Sequence, residues 1–330
     1  MGENSFIEKN KTENNILDNQ LYTDQKIRIK KEPFTLLSGH LYTRTYGVTI
    51  HITDAQKEKT SSVQFETEIT LRRYPDEECF EYTIKRDKIF INKRAPKKIV
   101  ETLSIKTQAV LYPLQLKTTF GNELLDIINY EEIITRWKKV KQQLQKEYTG
   151  KAFTQYITKF ETNLLQKHYL LSSFKQEVFY TLLFHNVYKG YNTSLEKKVE
   201  MQFPILSFKN PLVFKATQKI NNYKTYYNTA HITLDSKIKN NTTEAILKVE
   251  YDLDSSSFLL QNTIAECSIK HQDTLIKKIK ATVYHLREKP TVRQSFDDME
   301  DDLKRRKKAQ KKEENKSLTT KQRFYKWLNS

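Results

Sequence analysis

Residues 112–150 read YPLQLKTTFGNELLDIINYEEIITRWKKVKQQLQKEYTG, and in this stretch a strand pattern changes into a helix pattern. Apolar residues alternate up to Phe120, and the pair Gly121-Asn122 then predicts a two-residue type II′ hairpin turn with Gly first. Leu125 and Ile127 belong to the returning strand of that hairpin. The first half of the stretch is therefore predicted to end a β-sheet.

The second half of the stretch predicts a helix that begins at Tyr130. Asn129 and Glu132 have the three-residue spacing of a capping box. Apolar residues follow at helical spacing and form a predicted core face, namely Ile133, Trp137, Val140, Leu144 and Tyr148. We expect Trp137 to be a core anchor between this helix and the sheet.

Two further helices are predicted after this one. Gly150 separates the first from a second helix, and a third begins near Ser172-Ser173, with Gln176 in the capping-box position, and ends at Gly190. Residues 130–190 are therefore predicted to be a three-helix insert.

Period-two alternation on both sides of this insert predicts strands over residues 34–129 and 196–286. Turns are predicted at residues 54–59, 74–76 and 85–88 of the first part, with Arg86 in the last of these. Pro204 marks an edge or a bend in the second part. The fold class is therefore α+β: one domain over 34–289 with a large, strongly curved antiparallel sheet interrupted by the helical insert.

The two ends of the chain differ from this domain. Residues 1–33 are polar and predict a flexible arm, although the basic cluster at 26–31 could also dock on a partner as an added strand. Residues 290–330 predict a charged helical tail, with acidic residues before basic ones, that ends on an aromatic group.

The formal net charge of +17 is compatible with nucleic acid, anionic lipid or an acidic protein as a partner, or simply with a Lys-rich surface. Tyr223, Tyr226 and Tyr227 alternate with Lys219 and Lys224, as in single-strand binding surfaces. Possible contacts for an anionic partner in the tail are Lys304, Arg305, Arg306, Lys307 and Lys308.

Motifs of catalysis are missing from the sequence, so we expect a non-enzymatic protein without a metal or cofactor. Glycine-rich phosphate loops, nucleophile elbows and metal-binding histidine motifs do not occur. Cys79 and Cys267 each lie in an apolar alternation and are expected to be core thiols. His51 and His231 could meet across a curved sheet, although packed strand residues are the more common outcome.

An aromatic cluster at the end of the predicted tail comprises Phe324, Tyr325, Trp327 and Leu328. Burying each large side chain contributes roughly 1.5–3 kcal/mol, so this cluster is expected either to fold back on the sheet or to dock on a partner.

Residues 114–133, LQLKTTFGNELLDIINYEEI, resemble a recurring pattern in uncharacterised bacterial half-barrel proteins. Their curved antiparallel sheet, interrupted by helices, is similar to that of lipoprotein-carrier folds. The resemblance implies this architecture for residues 40–286. It assigns no functional residue, and the signal peptide of secreted members is missing.

The leading hypothesis is a cytoplasmic adaptor or assembly subunit with a protein partner, such as an accessory of a secretion or contractile injection apparatus. The sequence predicts no transmembrane segment, because nowhere do 18 apolar residues follow one another. The alternatives are a nucleic-acid-binding protein and a carrier of an apolar ligand, of which the last predicts a large cavity between sheet and helices.

Overall fold

The computed structural model describes residues 22–29, 41–74, 77–188, 191–206 and 210–286. These residues belong to one compact unit that ends at Leu286. The predicted charged tail, residues 290–330, lies outside the described residues.

The described part of the chain is dominated by an antiparallel sheet of eleven strands. In chain order its strands are β2 (Leu41–Asp54), β3 (Lys59–Tyr74), β4 (Cys79–Ile91), β5 (Leu114–Thr119), β6 (Leu124–Ile127), β7 (Glu196–Phe203), β8 (Leu212–Ile220), β10 (Thr229–Asn240), β11 (Thr243–Asp254), β12 (Leu260–His271) and β13 (Thr274–His285). A separate two-stranded sheet pairs β1 (Tyr22–Lys26) with β9 (Tyr223–Thr225).

The strand order is β6-β5-β4-β3-β2-β13-β12-β11-β10-β8-β7. The strands β2 to β6 form a first meander and the strands β7, β8 and β10 to β13 form a second. The two meanders join in the middle of the sheet, where β2 pairs with β13 and Ile50 lies opposite Ala281. The strand before Pro204, β7, is an edge strand. The prediction of an α+β fold with a large antiparallel sheet is thus confirmed.

Five helices occur among the described residues: α1 (Ile99–Ala109), α2 (Tyr130–Glu147), α3 (Lys151–Leu164), α4 (Lys167–Phe174) and α5 (Val178–Leu183). The sequence did not reveal α1. The predicted third helix is wrong as a single element, because α4 and α5 replace it and Ser172-Ser173 lie inside α4. The hydroxyl of Ser173 donates to the carbonyl of Leu170 at 2.7 Å instead of capping a helix.

The sheet curves around α5, which is apolar on nearly all sides and buried. The two edge strands, β6 and β7, both line one cavity, to which they contribute Leu124 and Met201. In a flat sheet these strands, ten positions apart, would be separated by about 48 Å at ~4.8 Å per strand. The ring of Phe65 on β3 packs against that of Phe179, with the ring centroids 5.5 Å apart. The hydroxyl of Tyr251 on β11 donates to the Leu182 carbonyl at 3.2 Å. Strands from both meanders therefore pack on the same short helix.

Trp137 is fully buried on α2, as expected for a core residue. Its ring lies 4.8 Å from that of Phe160, and its Nε1 donates to Glu161 Oε1 at 3.0 Å. Both partners belong to α3, so these contacts tie one helix to the next.

The turn between β5 and β6 is not the predicted type II′ turn. The residue with positive φ is Asn122 (φ 70°), not Gly121. The amide of Asn122 donates to the Thr119 carbonyl at 2.9 Å, and the amide of Thr119 donates to the Glu123 carbonyl at 2.9 Å. This is a three-residue hairpin loop, whose last residue is left-handed, a conformation that Asn tolerates.

Helix α2 begins at Tyr130 as predicted, but the predicted capping box is wrong. Asn129 makes no side-chain cap. Its Oδ1 accepts the Gln115 amide at 2.9 Å, and its Nδ2 donates to the Pro113 carbonyl at 2.8 Å. The side chain therefore joins the start of α2 to the start of β5.

Two further predictions differ from the structure. Residues 85–88 are not a turn, because β4 continues through them and a register shift in the pairing with β3 absorbs the irregularity. Part of the predicted flexible arm is β1, and the adjoining Ile27 is buried in the core. The amide of Ile27 donates to the Asn222 carbonyl at 2.8 Å, so the arm pairs with its own chain here.

Candidate functional site

The main candidate site is a space of about 530 Å³ between the sheet and the helices, partly open to solvent and called here the sheet–helix cavity. The sheet contributes aliphatic and aromatic side chains of β2 and β3, and the helices contribute those of α3, α4 and α5. The apolar lining residues are Ile50, Ile52, Val63, Phe65, Leu111, Phe160, Leu164, Leu170, Phe174 and Val178. This volume lies within the range of roughly 300–1,000 Å³ typical of small-molecule pockets.

A second cavity of about 420 Å³ adjoins the first, because the two share Arg86, Gln108 and Tyr112 as lining residues. Helix α1 forms one of its walls with residues such as Thr102 and Ile105. The helix that the sequence did not reveal therefore helps to shape the site, and Arg86 lies where the two cavities meet.

Arg86 is the central charge of this site, with only 6% of its side chain exposed. Aromatic rings surround the guanidinium carbon, with the centroid of Phe65 at 4.1 Å and that of Tyr112 at 5.0 Å. The rings of Phe179 and Tyr180 are both 5.7 Å away. Such rings attract a cation through their electron-rich faces, so they hold the guanidinium in place at the cavity wall.

One carboxylate pairs with this guanidinium. Nη2 of Arg86 donates to Oε1 of Glu177 at 2.8 Å, and the Glu177 side chain is 37% exposed. Nε of Arg86 is buried and has no hydrogen-bond partner. Burial alone would lower the pKa of Arg86, but Glu177 and the neighbouring tyrosines outweigh it and raise this pKa. The guanidinium is therefore charged at every physiological pH.

Tyr112 and Tyr180 complete what we call the charged cluster, which consists of Arg86, Glu177, Tyr112 and Tyr180. The two hydroxyl oxygens are 2.8 Å apart and share a hydrogen bond. Burial raises the pKa of both phenols, so both stay neutral. The charged cluster thus contains one cation, one anion and two neutral hydroxyl groups.

A second buried polar group, the amide cluster, consists of His185, Gln218, Tyr191 and the carbonyl of Val187. Nε2 of His185 lies 2.8 Å from Oε1 of Gln218, which can only accept, so the ring nitrogen carries the hydrogen. Nε2 of Gln218 donates to the Tyr191 hydroxyl, which in turn donates to the Val187 carbonyl. Burial lowers the pKa of His185 to about 4, so the cluster is uncharged at neutral pH.

The histidines singled out in the sequence do not meet. His51 lies on β2 and His231 on β10, and three other strands lie between β2 and β10 in the sheet order. Nδ1 of His231 is 2.8 Å from Oδ1 of Asp252, to which the Thr229 hydroxyl also donates at 3.3 Å. The Thr229 hydroxyl bonds the Asp252 carboxylate and not the His231 ring. The ring is therefore not placed to activate this hydroxyl as a nucleophile.

The cysteine thiols are buried, as expected, and free. Burial raises the pKa of Cys267 to about 12 and also raises that of Cys79, which disfavours the reactive thiolate form. The described residues contain no group of three or more His, Cys, Asp and Glu side chains placed to hold a metal ion. None of the helices in the described part is long and apolar enough to cross a membrane.

The other predicted site residues divide into two groups. Tyr226 and Tyr227 are exposed beside Lys224, whose Nζ donates to Asn228 Oδ1 at 3.1 Å, while Lys219 pairs with Glu196 at 2.8 Å. The tail residues lie outside the described residues: Lys304, Arg305, Arg306, Lys307, Lys308, Phe324, Tyr325, Trp327 and Leu328.

Arg86 is the functional residue that sequence reasoning missed. A usable signal was present, because Tyr82, Ile84 and Arg86 continue one alternating face of β4. A charged residue at an inward position of a strand is costly unless it is paired, and it marks a special environment. The assignment of residues 85–88 to a turn concealed this signal.

Comparison with known proteins yields little. The chain matches no protein-family model, and no curated protein matches it. One solved structure that it matches, "Asymmetric conductivity of engineered proteins", is 9% identical, with 74% of this chain and 100% of the other covered and a TM-score of 0.19. This score is too low to support a shared fold or function.

Proposed function

We propose that this protein binds and carries an apolar small molecule in the sheet–helix cavity. The observation that supports this proposal is a space of about 530 Å³ whose walls are mainly aliphatic and aromatic. The space is a cleft that is partly open to solvent, because exposed residues such as Gln108 and Asn163 lie in its lining. Concave clefts with mainly apolar walls are the places where proteins typically bind small molecules.

The shape of the site fits a carrier. Apolar residues come from both the sheet and the helices, so a ligand would be covered on two sides, as in the pockets of typical binding proteins. Exposed polar residues such as Asn163, Ser173 and Gln176 also line the space, and the buried charge among its lining residues is Arg86 of the charged cluster, which would orient the ligand.

The experiment is a titration of the full-length protein with N-phenylnaphthylamine, a dye that fluoresces in apolar pockets. We expect saturable binding, and we expect Val63→Trp to weaken it at least tenfold, about 1.4 kcal/mol, because Val63 lines the cavity. Val213→Trp is the matched control, since Val213 is exposed on β8. Dye binding that is absent, or that Val63→Trp leaves unchanged, would refute the proposal.

The adaptor hypothesis rests mainly on Phe324, Tyr325, Trp327 and Leu328, which lie outside the described residues, and it stays a prediction. Nucleic-acid binding through the exposed Tyr226 and Tyr227 also stays a prediction. Its test is a steep fall of affinity with salt concentration.

A further inference from the structure

We propose that the ligand of the sheet–helix cavity is a carboxylate amphiphile, whose carboxylate replaces Glu177 as the partner of Arg86. This inference rests on the proposed function and adds the chemical class of the ligand. Its apolar part would lie along the walls formed by β2, β3, α3 and α4, and its head group would lie at the guanidinium.

The position of Arg86 supports a head-group site. It lines both the sheet–helix cavity and the adjoining cavity against α1, together with Gln108 and Tyr112. These three residues provide hydrogen-bond donors at the junction of the two spaces. Apolar pockets commonly orient their ligands through a small number of polar groups placed in this way.

The hydrogen bonding of Arg86 is incomplete. A guanidinium can bind a carboxylate through two parallel hydrogen bonds, but Glu177 takes only the one from Nη2, and Nε has no partner. A carboxylate that approaches the edge formed by Nε and Nη2 would satisfy both nitrogens. A ligand that brings such a group would therefore complete a pairing that the chain itself leaves half made.

Glu177 is placed to leave this pair. Its side chain is 37% exposed, whereas that of Arg86 is 6% exposed, so Glu177 is much more accessible to water than Arg86. When a ligand carboxylate takes its place, Glu177 can turn to solvent with little loss of hydration. The exchange keeps one negative charge beside the buried cation.

The charge of Arg86 selects the sign of the head group. The guanidinium cannot lose its proton, and a buried cation without a counter-charge is strongly unfavourable. A neutral alcohol cannot replace Glu177 in this role, and an amine would repel the guanidinium. The aromatic rings of Phe65, Tyr112, Phe179 and Tyr180, whose centroids lie 4.1–5.7 Å from the guanidinium carbon, attract the cation but provide no negative charge.

The experiment compares three probes that differ only in the head group: dodecanoic acid, dodecanol and dodecylamine. Binding to full-length protein at neutral pH is measured by displacement of N-phenylnaphthylamine, with each probe below its micelle concentration. We expect the acid to bind best to the wild type. Glu177→Gln removes the competing carboxylate, so we expect it to tighten binding of the acid by about tenfold and to leave the alcohol unchanged.

Two further variants complete the design. Arg86→Lys keeps the positive charge but loses the two-pronged edge, so the acid should bind about tenfold more weakly and the alcohol as before. Glu266→Gln breaks an ion pair with Lys278 between β12 and β13 whose two residues do not line either cavity, and it should change none of the three affinities. Circular dichroism confirms that each variant is folded.

The outcomes separate the two proposals. If all three probes bind with equal affinity, and Glu177→Gln does not favour the acid, the apolar carrier stands and the carboxylate exchange is overturned. If neither the dye nor any probe binds the wild type, the carrier proposal fails, and this inference fails with it.

Discussion

The charged cluster and the amide cluster each join a strand of the sheet to α5 or to the residues beside it, but they differ in how completely their polar groups are paired. In the amide cluster Gln218 is fully buried and uses both ends of its amide, one toward His185 and one toward Tyr191. In the charged cluster Nε of Arg86 is buried without a partner, and its counter-ion Glu177 is partly exposed.

This difference indicates different roles. A buried network in which every group is paired rigidifies a core and is costly to break. A network that leaves a strong donor unpaired contributes less to stability than it could, and each such group in a native protein calls for an explanation. We therefore interpret the amide cluster as structural and the charged cluster as part of a binding site. The following expectations test this contrast.

The largest expected effect is on the amide cluster. Gln218→Leu keeps the approximate side-chain size but leaves His185 Nε2 unpaired and removes one of the two hydrogen bonds of the Tyr191 hydroxyl, which keeps its bond to the Val187 carbonyl. An unpaired buried group costs about 1–3 kcal/mol and a lost hydrogen bond about 1 kcal/mol, so we expect the free energy of unfolding to fall by up to about 4 kcal/mol. Urea denaturation followed by circular dichroism measures this loss.

A control for this substitution is available on the same strand. Lys215→Leu changes a solvent-facing position of β8 and should alter the free energy of unfolding by less than about 0.5 kcal/mol. Equal losses in the two variants would contradict a structural role for the amide cluster.

The next effect concerns pH. Burial lowers the pKa of His185 to about 4, whereas an unfolded histidine titrates near 6.5. Between these values the unfolded chain takes up a proton that the folded chain does not. The contribution of neutral His185 is therefore complete above pH 6.5 and is lost as the pH falls to about 4, by about 3 kcal/mol in total.

Comparison of wild type with His185→Gln isolates this contribution, because the variant does not titrate there. Hydrogen bonds from Ser256 and Ser257 outweigh the effect of burial and hold the pKa of Asp254 at about 2. The loss of stability that protonation of this carboxylate causes therefore occurs at lower pH than that of His185. We expect the stability difference between the two proteins to shrink from pH 7 to pH 4. A constant difference over that range would show that His185 is not buried as a neutral ring.

The sequence predicted the strands of the second meander well, because they have a regular two-residue alternation that only a half-buried strand explains. The first residues of α2 and α3 were also predictable, from a change of period at Asn129 and from Gly150. Asn129 marked the correct start of α2, but its predicted role as a helix cap was wrong. Its side chain instead hydrogen-bonds the backbone of Gln115 and Pro113, which lie 14 and 16 residues earlier in the sequence. A contact between residues distant along the chain leaves no local pattern.

The candidate site was less predictable than the fold. Helix α1 has a weak apolar stripe and was not recognised, and Arg86 was assigned to a turn because charged residues at 85–88 are typical of turns. Gln218 was placed on a strand correctly, but its partners His185 and Tyr191 come from the loop after α5. Clusters of this kind depend on the curvature of the sheet, which brings distant segments together.

The smallest expected effects concern the charged cluster and complete the comparison. Glu177→Gln removes the counter-charge of a buried guanidinium. Because Glu177 is 37% exposed, the free energy of unfolding should fall by less than the 3–5 kcal/mol typical of fully buried pairs, and we expect a loss of about 2 kcal/mol.

Adding Arg86→Met to Glu177→Gln removes the uncompensated cation and gives the aromatic rings a flexible apolar side chain to pack against. We expect the double variant to return to within about 1 kcal/mol of the wild type in urea denaturation. If it were as unstable as Gln218→Leu, the charged cluster would be a structural element like the amide cluster. If it instead matches the wild type in stability but no longer prefers dodecanoic acid over dodecanol, the chain keeps Arg86 at its charged, half-paired position for the ligand and not for the fold.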